Sequence, residues 1–99
     1  MTTSLSAEHR ARIDAARRGE TTTLDLSGAP IRDLRALQGL TGLTRLKLAG
    51  CADLTDVSRL AGLKGLKELS LYNCRALSTL ELHDLPALRK LSITRCTAL

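Results

Sequence analysis

Cysteine is the residue type with the greatest chemical potential in this chain of 99 residues. Cys51, Cys74 and Cys96 are separated by 23 and 22 residues, so no two of them form a CxxC pair. A zinc site needs four nitrogen or sulfur ligands, usually supplied as close pairs. The two histidines, His9 and His83, fall outside any such spacing. The cysteines therefore predict no metal site, and their even spacing indicates a repeat instead.

The other polar motifs do not point to catalysis. A Cys–His nucleophile pair would need a third, orienting group and an open site, whereas cysteines that recur with a repeat are expected in a structural column. His83-Asp84 is interpreted as a surface corner, and the segment from Asp53 to Asp56 as turn and cap chemistry. The sequence predicts a protein that is not an enzyme, with no catalytic residue and no cofactor.

The charge balance favours acidic partners. Lys and Arg number 15 against 10 Asp and Glu, which gives a formal net charge of +5. Such a charge attracts nucleic acid and anionic surfaces, and this is the alternative function. Nucleic-acid readers usually add aromatic side chains for stacking, and Tyr72 is the single aromatic residue.

No apolar run approaches the roughly 18 residues of a membrane-spanning helix. The three thiols favour a reducing compartment, the cytoplasm.

A repeat explains the positions of the leucines. The pattern L-x-L-x-x-[C/A] recurs in steps of 22, 23 and 22 residues, beginning at Leu24, Leu46, Leu69 and Leu91. In the first half of each unit the leucines alternate, which predicts a strand with one buried face. In the second half they recur every third residue, apart from one step of two between Leu80 and Leu82. On a long α-helix, five steps of three residues would spread the leucines around the whole circumference and leave no single apolar face. The spacing therefore predicts 3₁₀ turns or one short α turn.

A strand of this pattern followed by leucines three apart resembles the leucine-rich repeat family. The segment LTDVSRLAGLKGLKEL is similar to the return segment of the internalin-like subclass with its 22-residue unit. Most members carry Asn at the ladder position, and here that position holds Ala29, Cys51, Cys74 and Cys96. The resemblance implies an α/β fold. This is a right-handed solenoid with a parallel concave sheet of about four strands and a convex side of 3₁₀ turns or short helices.

The ladder position turns the chain inward at the end of each strand. A thiol is a weaker donor and acceptor than an amide, so hydrogen bonds between the backbones of neighbouring coils are expected to carry more of the load. Equivalent residues on stacked strands lie about 4.8 Å apart, which is within disulfide range. In a reducing compartment, free thiols are nevertheless expected.

Two regions are predicted, an N-terminal capping helix in residues 1–22 and repeats in residues 23–99. Ser6 is the expected N-cap of a helix that runs to about Arg18, with Gly19 as its stop. The segment RIDAARRGETTTLDLSG resembles the cap of Roco-type and other bacterial repeat proteins, and the arginines of the helix are expected to face solvent. The repeats comprise three full units and a partial fourth, with no C-terminal cap. This predicts weak self-association at the open end, or a fragment of a larger sensor or regulatory protein.

The expected function is non-catalytic binding of a protein partner on the concave face, as the family resemblance implies. Residues that alternate with the buried leucines form columns across the strands. The predicted partner-binding residues come from these columns and from the adjoining edge: Arg45, Lys47, Glu68, Ser70, Tyr72, Asn73, Lys90 and Arg95. Tyr72 is the expected anchor, because aromatic residues and arginine dominate binding hot spots. Lys64 and Lys67 are expected on the convex side.

Overall fold

The computed structural model describes residues 6–78, 80, 82 and 84–99. Within them a single α-helix, α1, precedes a four-stranded parallel sheet in which the strands follow one another in chain order. Their bounds are α1 Ala7–Arg17, β1 Thr23–Asp25, β2 Arg45–Ala49, β3 Glu68–Tyr72 and β4 Lys90–Thr94. Each step from one strand to the next closes one coil of a solenoid, as predicted.

The register of the sheet confirms the repeat. Leu46 of β2 pairs with Leu24 of β1 and Leu69 of β3, and Leu69 pairs in turn with Leu91 of β4. The leucines of the first three strands are at most 1% exposed. The alternation therefore places one leucine column after another in the core, as a strand with a single buried face requires.

The return segments of the first two units also form as predicted. Two 3₁₀ helices lie in them, Arg35–Leu37 and Ser58–Gly62. Leucines that lie three residues apart are hydrogen-bonded to each other through their backbones. The Leu63 N–H donates to the carbonyl of Leu60 at 2.9 Å, and the Leu66 N–H to that of Leu63 at 3.0 Å. A 3₁₀ path keeps residues i and i+3 on one side, which explains how a spacing of three buries every leucine.

The third return segment differs in its packing. Its leucines at positions 80, 82, 85 and 88 are only partly buried against the core. Asp84 lies between Leu82 and Leu85, after the step of two, and its φ of +55° carries the chain through the left-handed region. No 3₁₀ helix occurs among the described residues of this segment. His83 lies outside the described residues, so the interpretation of His83-Asp84 as a surface corner stays a prediction.

The N-terminal helix begins and ends as predicted and covers the first coil. The Ser6 hydroxyl accepts a hydrogen bond from the His9 N–H at 3.2 Å, and Gly19 follows the helix with a φ of +78°. Ile13 of this helix is buried against the core of the repeats. In the described part of the chain, no helix has the length and apolar character needed to cross a membrane.

Two of the helix arginines do more than face solvent, which corrects the sequence-based expectation. The Arg12 guanidinium donates to the carbonyl of Asp25 at 2.9 Å. The guanidinium of Arg17 donates to the carbonyls of Ala36 at 2.9 Å and Gln38 at 3.2 Å. Because these carbonyls belong to the first coil, the two side chains fasten the helix to it while remaining exposed.

Candidate functional site

The ladder residues lie in a buried column at the ends of the strands. Ala29, Cys51 and Cys74 are at most 1% exposed, and Cys96 is 9% exposed. The Cys51 thiol donates to the carbonyl of Leu26 at 3.3 Å and the Cys74 thiol to that of Leu48 at 3.0 Å. All three cysteines are free. Each thiol therefore bonds the backbone of the coil before it, which is a structural task.

Burial also suppresses the reactivity of these thiols. Removal from water raises the pKa of the Cys51 thiol, and it raises the pKa of Cys74 from 9.0 to about 11. Since the thiolate is the nucleophilic form, Cys74 is a poor nucleophile at neutral pH. Among the described residues, no group of three or more His, Cys, Asp or Glu side chains could hold a metal ion.

A second column lies one residue before the ladder, and sequence reasoning treated it only as an edge of the binding surface. Its members all have left-handed backbone, with φ values of 75°, 68°, 56° and 56°: Gly28, Gly50, Asn73 and Arg95. Asn73 and Arg95 thus hold a turn conformation in addition to any contact they make with a partner. The signal was present in the sequence, because glycine and asparagine tolerate this region best.

These turns provide the expected backbone bonds between coils. The N–H groups of Gly28, Gly50 and Asn73 donate across to the next strand at 2.7, 2.7 and 2.8 Å. The acceptors are the carbonyls of Ala49, Tyr72 and Thr94. The left-handed residue points its N–H along the stacking direction, so each turn ties one coil to the following one.

The concave face is the face of the sheet that points away from the core. Its columns follow the register, and the first column runs from Thr23 through Arg45 and Glu68 to Lys90. Arg45 and Glu68 form an ion pair at 2.9 Å between Nε and Oε2. Both side chains are substantially exposed, so the pair contributes at most about 1 kcal/mol to stability.

Two adjoining depressions form a groove at the start of the strands. One, of about 170 Å³, is lined by Arg45, Leu46, Lys47, Glu68, Leu69, Ser70, Lys90 and Ser92. The other, of about 270 Å³, is lined by Thr44, Arg45, Lys67, Glu68 and Arg89. We call this combined surface the basic groove. It brings together five of the predicted partner-binding residues but does not include Tyr72, Asn73 or Arg95.

Lys67 corrects the sequence-based assignment, which placed it on the convex side. It precedes β3 and lines the basic groove beside Arg89, its counterpart before β4. The Lys67 N–H donates to the carbonyl of Thr44, and the Arg89 N–H to that of Lys67, each at 2.8 Å. Sequence alternation missed this column because the residue just before a strand belongs to neither face of the pleat.

The other end of the concave face, where the strands end, carries Asp25 and Tyr72. Asp25 is half-buried and its Oδ1 accepts hydrogen bonds from the hydroxyl and the N–H of Ser27. The hydroxyl bond is the main cause that lowers the pKa of the Asp25 carboxyl, and the charges of Arg12 and Lys47 lower it further. The ring of Tyr72 is 38% exposed. It can therefore offer a surface to a partner.

The parallel sheet, the thiol ladder and the 3₁₀ return segments define a leucine-rich repeat protein. Consistent with this, residues 16–99 match the model of the leucine-rich repeat domain of the endo-beta-N-acetylglucosaminidase EndoS. The match covers most of the chain, and the chain belongs to this family. Comparisons with curated proteins and with solved structures gave no match. Domains of the leucine-rich repeat class are typically non-catalytic interaction modules.

Proposed function

We propose that the chain is a protein-binding module that engages its partner through the concave face. The observation that carries this proposal is the basic groove, where polar and charged side chains of three neighbouring strands converge. The exposed side chain of Tyr72 lies further along the same face. The matched family is a repeat domain of a glycosidase. The proposal takes from it the binding role of the repeat and no glycosidase activity.

Tyr72→Ala and Arg45→Glu test the proposal by affinity capture of partners from the source cells. Each change is expected to reduce capture of the specific partner roughly tenfold or more, since central aromatic and arginine side chains dominate interfaces. Lys64→Glu is the control, because Lys64 is exposed on a return segment and lines a separate depression with Asp84, Leu85 and Pro86. Circular dichroism should show an unchanged fold. Loss of capture with Lys64→Glu alone would place the interface on the convex side.

The region boundary, the repeat subclass and the type of cap are part of the same proposal. We place the boundary between cap and repeats after residue 22, and we assign the repeats to the internalin-like subclass and the cap to the Roco type. The three free, buried thiols support action in the reducing cytoplasm. We propose the structural role for the four ladder positions and partner binding for the eight residues predicted from the sequence, and we add Lys67 and Arg89 to the binding surface.

Two further proposals concern association. The positive charge of the basic groove makes a nucleic acid the alternative partner. At the last strand of the sheet, Leu91 and Ile93 of β4 are 42% and 38% exposed. Among the described strands β4 pairs only with β3. Exposed edges with apolar neighbours recruit other chains, so we propose weak self-association there. A larger sensor or regulatory protein containing this segment would cover the same edge.

A further inference from the structure

We infer that the basic groove recognises a carboxylate-rich segment of the protein partner. This inference rests on the proposed binding function and specifies the chemistry of the ligand. Five of the 15 basic residues of the chain line the groove against one of its 10 acidic residues. The other ten basic and nine acidic residues nearly balance, so the groove holds most of the net charge of +5.

Most of these cations form no ion pair with another described residue. Glu68 is the one carboxylate that lines the groove in the described part of the chain, and it pairs with Arg45. Within the described residues no carboxylate oxygen lies within 4.0 Å of the charged groups of Lys47, Lys67, Arg89 or Lys90. Lys67 and Arg89 hold equivalent positions just before β3 and β4, so their like charges repel each other. An acidic ligand that seats between them removes this repulsion.

The backbone of the groove is already used in stacking. The N–H groups of Lys67 and Arg89 donate to the preceding coil, as does that of Lys90, which donates to the Lys67 carbonyl at 3.0 Å. These N–H groups are therefore not free to bind a ligand, which must contact the groove through side chains. Lysine ammonium and arginine guanidinium groups offer donors only, and carboxylates match them by charge-assisted hydrogen bonds.

The composition of the groove favours an acidic peptide over a nucleic acid. The carboxylate of Glu68 stands between Arg45 and Lys90 in the register, where it would repel a continuous phosphate backbone. In a peptide each carboxylate sits on its own flexible side chain, so one glutamate can turn away from Glu68 while its neighbours bind the cations. Single-stranded nucleic acids are commonly held by aromatic stacking, and the sole aromatic residue, Tyr72, does not line the groove.

The test is the binding of a fluorescein-labelled decaglutamate peptide to the full chain, followed by fluorescence anisotropy at low and near-physiological salt. Decaglutamine and a thymidine dodecanucleotide serve as comparison probes. We expect decaglutamate to bind, decaglutamine not to bind, and affinity to fall with salt as screening increases. Failure of decaglutamate to bind at low salt, or tighter binding of the oligonucleotide through the same groove, would overturn the inference.

Matched variants separate the groove from the general charge of the protein. Lys67→Glu/Arg89→Glu reverses two groove charges, and Lys64→Glu/Arg75→Glu reverses two exposed charges outside it. The groove variant should weaken decaglutamate binding roughly tenfold or more, and the control less than about threefold. Lys67→Gln/Arg89→Gln, which only neutralises the charges, should give an intermediate loss. Equal losses in the two charge-reversal variants would show a diffuse field and no specific groove.

The same variants distinguish this inference from the proposed function. A captured partner that is lost with Tyr72→Ala but retained with Lys67→Glu/Arg89→Glu would leave concave-face binding in place and overturn the acidic ligand. Loss of that partner with both variants supports both proposals. Groove-dependent binding of decaglutamate, combined with a partner that ignores Tyr72→Ala and Arg45→Glu, would retain the ligand chemistry and refute the proposed interface.

Discussion

At the scale of single residues, each ladder thiol is a weak hydrogen-bonding group that nevertheless makes a defined contact with the backbone of the preceding coil. Cys74 is fully buried, and its sulfur lies 3.0 Å from the carbonyl of Leu48 in the preceding coil. A thiol has one donor to offer, and here that donor is satisfied. The buried site also disfavours the charged form, so the contact depends on the protonation of the sulfur.

The stability of the protein should therefore fall at alkaline pH in a way that depends on Cys74. Its pKa is raised from 9.0 to about 11 in the folded chain. The stabilisation of the neutral thiol is fully present below pH 9.0 and is lost as the pH rises through about 11. Urea unfolding at about pH 8 and about pH 10.5 should show a larger loss of unfolding free energy in the natural protein than in Cys74→Val.

The valine variant is the control for every other group that titrates in this range. Those groups are common to both proteins, so their contributions cancel in the comparison. An equal loss of unfolding free energy in the two proteins would show that the Cys74 site does not favour the neutral thiol.

At the scale of elements, the second return segment lies close against the backbone of the first at Gly65. A Cβ placed there would lie 2.9 Å from the carbonyl oxygen of Thr41 and 3.5 Å from that of Leu43, both on the preceding coil. The same position in the first unit is Gly42, where a Cβ would meet nothing within 4 Å. The two glycines share a motif and differ only in whether another coil lies beneath them.

Gly65→Ala should destabilise the protein by about 1–3 kcal/mol, because the clash is with backbone and the coils must separate to relieve it. Gly42→Ala should be neutral or stabilise by up to about 1 kcal/mol, because it only restricts the unfolded chain. Chemical denaturation of the two variants measures the difference. Equal effects would mean that the second return segment does not rest on the first.

The elements themselves were predictable from leucine spacing, but the candidate site was only partly so. A period of two and a period of three each bury their leucines in only one backbone geometry, and the register followed from the repeat. The basic groove depends on Lys67 and Arg89, which precede strands and so escape the alternation rule. The left-handed turns are signalled by Gly28, Gly50 and Asn73, but Arg95 gives no such signal, because arginine rarely adopts this conformation.

At the scale of the whole molecule, the two ends of the solenoid differ in how they are covered. The helix packs across the first coil, with Ile13 buried and Arg12 and Arg17 bonded to it. At the other end, β4 exposes Leu91 and Ile93, and Leu99 is 49% exposed. Repeat arrays gain stability from each interface between neighbours, so the last coil is the least supported.

The isolated 99-residue chain should accordingly self-associate weakly through β4. Ile93→Lys should abolish association, because it would bury an unpaired charge at the new interface. Thr94→Lys, on the concave side of the same strand, is the control and should leave association unchanged. Sedimentation velocity over a range of concentrations measures both. A monomer that persists at high concentration would contradict the proposal.

The left-handed column also predicts the order in which the coils fold and unfold. Its members become less suited to that conformation along the chain, from Gly28 and Gly50 to Asn73 and finally Arg95. Each coil packs on the one that precedes it in the chain, and the helix that covers the first coil is synthesised first. The chain can therefore wind up coil by coil as it leaves the ribosome, and it should unwind from Arg95 backwards.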